Sequence, residues 1–306
     1  MRVLFYDTAA NAPYDPKQLR ERGMGGTEAT VIRIAEALSE HHEVIVAQQY
    51  RTTTYTEGAR YEPMRDQSAD VVVVLRNPVD CSKFGKCFLW MHDYVRVDEF
   101  SKEEADALED VELIAVSDWH RNNLLESFDC PAHRIYNPCT AKRRGVEKEP
   151  GKLIFCSSPH KGFDKTLDVM GEIVSRDPSY KLYVANPGYA GGHKYNTKHL
   201  KTLGSLKHSE LMHHLEQSVC MIQANDVYPE TFGIVYAEAK ALGTPVLTYD
   251  IGAASEVYGQ CVDKDATPEQ FAEQLLAGLE TPSPDPRFDL ATITREWLKL
   301  LATKPD

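Results

Sequence analysis

A chain of 306 residues, 42% hydrophobic and 26% charged, is long enough for two domains of ordinary size, each burying its own core. Its formal net charge of −12 disfavours a protein dominated by non-specific attraction to nucleic acid. No run of about 18 apolar residues occurs, so no membrane-spanning helix is expected.

The start, MRVLFYDT, leads straight into a strand and carries no secretory apolar core. Seven cysteines, at 81, 87, 130, 139, 156, 220 and 261, are scattered and odd in number. Cys81 and Cys87 have no Cys or His set nearby with zinc spacing, so reduced thiols and a cytoplasmic location are the expectation.

In chain order, residues 3–7 form a compact apolar strand, followed by a polar loop to Met24. Ala29, Ile32, Ile34, Ala35 and Leu38 recur at helical spacing and predict a helix over 27–38. Segments 43–47, 71–75, 87–90 and 112–116 read as buried strands, and Ser117 is a good N-cap for a helix over 118–128. Residues 136–150 change character: NPCT, then charges, then Glu149-Pro150-Gly151 mark a linker.

A second block follows: strand 153–157, helix 164–175, strand 181–185, helix 209–217 and strand 219–224. A helix opened by Phe232-Gly233 then stops at Gly243, with Pro245 just beyond, and strand 246–249 comes next. The chain continues through a helix over 268–279 and the break TPSPDP. The final helix, 290–302, has an apolar face of Ile293, Trp297, Leu298 and Leu301. Strands alternating with helices indicate an α/β class with parallel sheets, and no internal repeat is present.

Within the second block, YPETFGIVYAEAKALGTPV (228–246) sets Glu230 in a Pro-bounded loop and Glu238 eight positions on, inside a helix. A helix start exposes unpaired N–H groups and the positive end of a dipole, which suits a phosphate. The alternative is a loop charge and a solvated helix position. However, Glu238 lies among Tyr236, Ala237, Ala239 and Ala241 in a closely packing helix, where a carboxylate is costly to bury without a partner. A hydroxyl-rich ligand would supply one.

This segment resembles the Glu-x7-Glu motif of retaining glycosyltransferases with the GT-B fold, specifically glycosyltransferase family 4. The PETFG lead-in, EAKALGTPV and the later GAASEV take part in the match. The resemblance implies two Rossmann-like parallel-sheet domains facing a cleft: an acceptor domain over 1–140 and a nucleotide-sugar donor domain over 141–285. It further implies a C-terminal helix, 286–306, crossing back to the first domain. Glu230 would lie near the transferred sugar and Glu238 would bond the ribose. The amides of Thr231, Phe232 and Gly233 would meet the sugar or diphosphate.

Gly25-Gly26-Thr27-Glu28 lies between a loop and a helix, where glycines allow close backbone approach. It is equally an ordinary turn, but beside the motif it resembles the glycine loop that approaches the donor diphosphate. His92-Asp93 ends the strand FLWMHDY, where open α/β sheets place ligands; family members carry a His here near sugar and acceptor. Ser117-Asp118-Trp119-His120 resembles a family helix start and is read as capping chemistry.

Ser157-Ser158-Pro159-His160-Lys161-Gly162 follows the first strand of the second block, and Lys161 could neutralise a departing diphosphate. The family pattern has an Arg shortly after this strand, where Ser157 or Ser158 stands here. Those hydroxyls, the Gly25 loop or Lys165 are the candidates to replace it. Gly204-Ser205-Leu206 resembles the segment that touches the nucleotide base through backbone groups.

Two basic stretches, Lys142-Arg143-Arg144 with Lys148 and Lys152, and His193-Lys194-Tyr195 through Lys198, His199, Lys201, Lys207 and His208, read as solvated in preference to acceptor-binding. No carboxylate pair is spaced for a metal, so neither a metal nor a cofactor is expected. The function implied is a retaining, nucleotide-sugar-dependent glycosyltransferase with a hydroxyl acceptor, a glycan or small molecule, and a UDP-sugar is a candidate donor. The alternatives are transfer to a hydroxymethylated DNA base, with nucleic acid as partner, and a catalytically silent sugar-nucleotide binding protein.

Overall fold

The computed structural model describes residues 1–65, 67–81, 84–95, 108, 111–128, 130–186 and 197–303. The chain divides into two compact units: Met1–Gln18, Gly26–Pro138 and Arg287–Asp306 form one, and Leu19–Gly25 with Cys139–Pro286 the other. Both are α/β units built on parallel sheets.

The sheet of the first unit contains β1 (Arg2–Asp7), β2 (Glu43–Gln48), β3 (Tyr55–Thr56), β4 (Arg60–Pro63), β5 (Val71–Leu75), β6 (Lys86–Trp90), β7 (Glu112–Ala115) and β8 (Ala132–Arg134). Their order is β3-β4-β2-β1-β5-β6-β7-β8. Every pairing is parallel except β3 with β4. All five residues of β5, VVVVL, are buried, as expected of a strand covered on both faces. Helices α1 (Pro16–Glu21), α2 (Gly26–Ser39) and α3 (Asp118–Ser127) are interspersed. Ser117 caps α3 by accepting from the His120 amide at 2.9 Å.

The second unit contains β9 (Lys152–Phe155), α4 (Phe163–Arg176), β10 (Lys181–Asn186), β11 (Leu200–Ser205), α5 (His208–Gln217), β12 (Cys220–Gln223), α6 (Ile234–Ala241), β13 (Val246–Thr248), α7 (Ala254–Val257) and α8 (Pro268–Leu276). The all-parallel sheet runs β11-β10-β9-β12-β13. The order therefore reverses at β9, whose neighbours are β10 and β12, and in such sheets ligands bind beyond the carboxyl ends at that switch point. Phe163, Thr166, Val169, Met170 and Ile173 form the buried stripe of α4.

The chain closes with α9 (Leu290–Ala302), which belongs to the first unit. Trp297, fully buried, lies 4.7 Å from Trp90 and 5.9 Å from Phe5 between ring centroids, both edge-on. This triad joins the last helix to β1 and β6.

Several details depart from the sequence reading. Within the second basic stretch, residues 200–205 form the edge strand β11, while His193, Lys194 and Tyr195 lie outside the described residues. The helix expected to reach 279 stops at Leu276 because Gly278 turns to a φ of 96°. Cys81 and Cys87 are joined in a disulfide, which corrects the expectation of thiols throughout. The linker is tied down by buried Glu216, whose Oε1 accepts from the amides of Arg144, Gly145 and Val146.

Candidate active site

The loop after β9 and the loop after β12 flank the switch point of the second sheet, and two left-handed glycines shape them. Gly162 has a φ of 78°, and a Cβ there would fall 2.3 Å from the Ala224 carbonyl oxygen. Only glycine allows the Lys161-Gly162 turn to lie this close to the backbone that follows β12. The result is a meeting of Lys161 and Glu230: Nζ stands 2.8 Å from Oε2, with both side chains largely shielded from solvent.

Glu230 is also fixed from the other side. Its carbonyl accepts from the Ala253 amide at 2.8 Å, and its backbone bridges to Gly252. A Cβ on Gly252, whose φ is 63°, would come within 2.5 Å of that same carbonyl oxygen. This is the structural place of the GAASEV segment: its glycine lets the backbone clamp the glutamate loop. Gln223, fully buried at the end of β12, completes the surroundings with long 3.4 Å contacts to Ser157 Oγ and Glu230 Oε1.

Helix α6 starts after Gly233, a left-handed cap with a φ of 72° where an added Cβ would strike the Tyr236 ring at 2.5 Å. Phe232 is buried and Thr231 half-buried at this helix start, where the positive end of the helix dipole suits an anion. Burial and the nearby Glu230 push the Tyr236 hydroxyl above its usual range, and it stays neutral beneath the site, bonded to Thr248 Oγ1 at 3.3 Å.

Glu238 is 3% exposed. Its partner is a side chain of the protein: His208 Nε2 lies 2.6 Å from Oε1. His208 opens α5, two positions beyond Leu206, and the sequence reading left it inside a basic run. Around Leu206, Gly204 takes a φ of 76° at a shift in the β10–β11 register. The Leu206 carbonyl leaves room only for a glycine at position 23, where a Cβ would sit 2.8 Å away.

Ser157 is half-buried near Gln223, whereas Ser158 is 1% exposed and its carbonyl accepts from the Lys161 amide. Lys165 is engaged with Asp226 and stands 4.6 Å above the Tyr249 ring. Gly25 ends the Leu19–Gly25 segment of this unit, and Gly26 begins α2 in the first.

In the first unit, polar groups gather at the carboxyl edge of the sheet. His92 follows β6, buried, with its ring 4.5 Å from that of Trp90. Burial, then the Arg76 guanidinium and His120, hold it well below the ordinary histidine range, so the ring is neutral. Arg76 is a non-glycine residue with a φ of 65°, at the centre of a tight turn closed by Asn77 N–H to the Leu75 carbonyl at 2.7 Å. This form of γ-turn is strained, and it brings the Arg76 Nε to 2.5 Å from Asp93 Oδ2.

His120 secures the other side of this loop. Its Nδ1 accepts from the Val116 amide, so Nε2 carries the proton and donates to the Asp93 carbonyl at 3.0 Å. Burial pushes its pKa down to about 4. Asp7, at the end of β1, accepts from the Ala9 and Ala10 amides and from Tyr14 Oη. Glu28, in the first turn of α2, has its carboxyl raised by burial.

A protein-family profile described as Glycosyl transferases group 1 matches residues 142–295, just over half of the chain. No curated protein matches the chain. Among solved structures, AviGT4, a glycosyltransferase involved in avilamycin A biosynthesis, is similar at 18% identity and a TM-score of 0.66, over 99% of this chain and 98% of that one. Anabaena Alr3699/HepE, solved with UDP and glucose, is similar at 15% identity and 0.68, over 99% of each. TarM matches at 15% identity and 0.56 over 76% of this chain, which spans only 55% of TarM. At these identities the structural likenesses show the fold, the GT-B architecture, while the profile over the second unit shows the family: the chain belongs to the glycosyl transferases group 1.

Proposed function

We propose that this chain is a retaining glycosyltransferase that moves a sugar from a nucleotide-diphosphate sugar to a hydroxyl acceptor, a glycan or small molecule. The observation that carries the reading is the Lys161–Glu230 pair beside the Gly233 helix start, with Glu238 further along the same helix. A cation and a row of amides match a diphosphate, and the two carboxylates match a sugar, at Glu230, and a ribose, at Glu238. A relative solved with UDP and glucose supports UDP-sugar as the first donor to try.

In the free protein Lys161 is held by Glu230. An arriving diphosphate takes the ammonium, and Glu230 is released to accept from sugar hydroxyls. As the anomeric carbon–oxygen bond breaks, negative charge grows on the phosphate, and Lys161 with the helix-start amides stabilises it more than the ground state. The acceptor oxygen bonds the same face of the anomeric carbon, and its proton passes to the departing phosphate oxygen. Glu230 orients the sugar without attacking it, and neutral His92 positions sugar or acceptor. Neither metal nor cofactor has a role in this scheme. Among the described residues no helix is long and apolar enough to cross a membrane, and a cytoplasmic site of action is proposed.

A second reading, a silent binding protein, is favoured by Ser157 and Ser158 standing where the family pattern has an Arg. A thermal-shift panel of nucleotide sugars, then mass spectrometry with candidate acceptors, separates the two. Release of nucleoside diphosphate with a glycosylated product supports the transferase, and binding without release under any acceptor supports the silent protein.

A further inference from the structure

We infer that Gln223 is a positioning residue for Glu230: its amide N–H keeps the carboxylate aimed while Lys161 is engaged by the diphosphate. The inference rests on the proposed function in placing Glu230 beside the transferred sugar, and it adds a residue from outside the Glu-x7-Glu segment.

Three observations carry it. The first is placement. Gln223 ends β12, which pairs with β9 at the point where the strand order reverses. Alternation along the strand puts Cys220 and Ile222 in the hydrophobic core and Gln223, fully buried, on the opposite face.

The second is what the amide touches. Nε2 lies 3.4 Å from Glu230 Oε1 and 3.4 Å from Ser157 Oγ. The reverse orientation would set the amide oxygen against a carboxylate, so the N–H group is the one assigned to Glu230. Glu230 is thus met at both oxygens, Oε2 by Lys161 and Oε1 by Gln223. A distance of 3.4 Å is long for a hydrogen bond, as is common at a site before its substrate binds.

The third is what the amide lacks. Gln223 Oε1 is buried and has no hydrogen-bond partner among the described residues. A buried carbonyl in that state costs stability, so the side chain is a poor structural tie. A methionine would fill a similar volume without that cost. What the amide offers instead is its hold on Glu230. When the diphosphate draws Lys161 away from Oε2, Gln223 still holds Oε1, and Oε2 is presented to a sugar hydroxyl.

The test uses the full chain with UDP-glucose, and with GDP-glucose and ADP-glucose alongside, with water or a candidate glycan as acceptor. Gln223→Met should melt at the parent's temperature or above it. Its affinity for the nucleoside diphosphate alone, by titration calorimetry, should stay within about threefold of the parent, because that ligand carries no sugar. Its kcat for nucleotide release should fall about tenfold, the scale of a hydrogen bond to a charged group. In a Glu230→Ala background, Gln223→Met should lower kcat no further, because it acts through that carboxylate.

A parent-like kcat for Gln223→Met overturns the inference, as does a loss that adds fully to that of Glu230→Ala. A Gln223→Met chain that fails to fold, or that loses nucleotide affinity as much as kcat, makes the amide a structural tie and overturns it equally. A parent that releases no nucleoside diphosphate from any of the three donors defeats the proposed function, and this inference with it.

Discussion

Lys161 and Glu230 are 69 positions apart, yet the ammonium and carboxylate stand 2.8 Å from each other at the switch point of the second sheet. In the free chain each group holds the other, and under the proposed function a diphosphate and a sugar would compete for them. Lys161→Met should therefore lower donor turnover by about a hundredfold or more, the scale of removing one electrostatic stabiliser of a developing anion. Steady-state release of nucleoside diphosphate measures it, and turnover within threefold of the parent would remove Lys161 from the reaction.

If Glu238 accepts from the ribose, as proposed, Glu238→Ala removes that contact but touches no reacting bond. It should raise donor KM by about tenfold, with a smaller change in kcat. An unchanged donor affinity would sink the ribose assignment.

Gly162→Ala tests the architecture that makes the pair. The new methyl would meet the Ala224 carbonyl at 2.3 Å in a left-handed conformation, so about 2 kcal/mol or more of stability should be lost. Activity should fall with it, since Lys161 must move when the turn shifts. Denaturant melts and turnover are the measurements, and a fully active, parent-like Gly162→Ala would show that the close approach is dispensable.

The buried histidines give the first unit a pH dependence of definite sign. His120 has a folded pKa of about 4, below its unfolded value of about 6.5. Between these values the unfolded chain binds the extra proton, so stability is full above pH ~6.5 and declines as the pH falls towards 4. His92 is depressed in the same direction. The raised carboxyl of Glu28 works against them. His120→Gln should flatten the decline of thermal stability between pH 6.5 and 4, and an unaltered slope would remove His120 as its source.

Chelation should leave the reaction untouched if Lys161 and the helix-start amides carry the leaving-group charge. Turnover after dialysis against EDTA should match that of the untreated protein. A loss restored by a divalent cation would assign part of that charge to a metal.

The layered architecture is legible in the sequence because strands buried on both faces are written as continuous apolar runs, as in VVVVL at 71–75. The edge strand β11 lacks that signature: it has six residues and none is fully buried, so it looks like a polar loop. Within the site, Glu230, Glu238 and Lys161-Gly162 can be picked out as a motif. The salt bridge between Lys161 and Glu230 cannot, since it depends on a backbone contact between Gly162 and Ala224 far along the chain. Gln223 reads as the polar end of the strand CMIQ, and His208 as one charge in a basic run. Their contributions arise only from what the folded chain places against them.

Trp297 has an implication for the order in which the protein is made. It completes the packing around Phe5 and Trp90, but it lies after the whole of the second unit in the chain. The ribosome thus delivers every strand of the second sheet before the indole that fills the first core. The later-encoded unit can close during synthesis, while the unit containing β1 must wait until Trp297 has emerged. A stalled or prematurely terminated chain should accordingly present a folded second sheet alongside an unfinished first one, exposing Phe5 and Trp90 to chaperones and proteases.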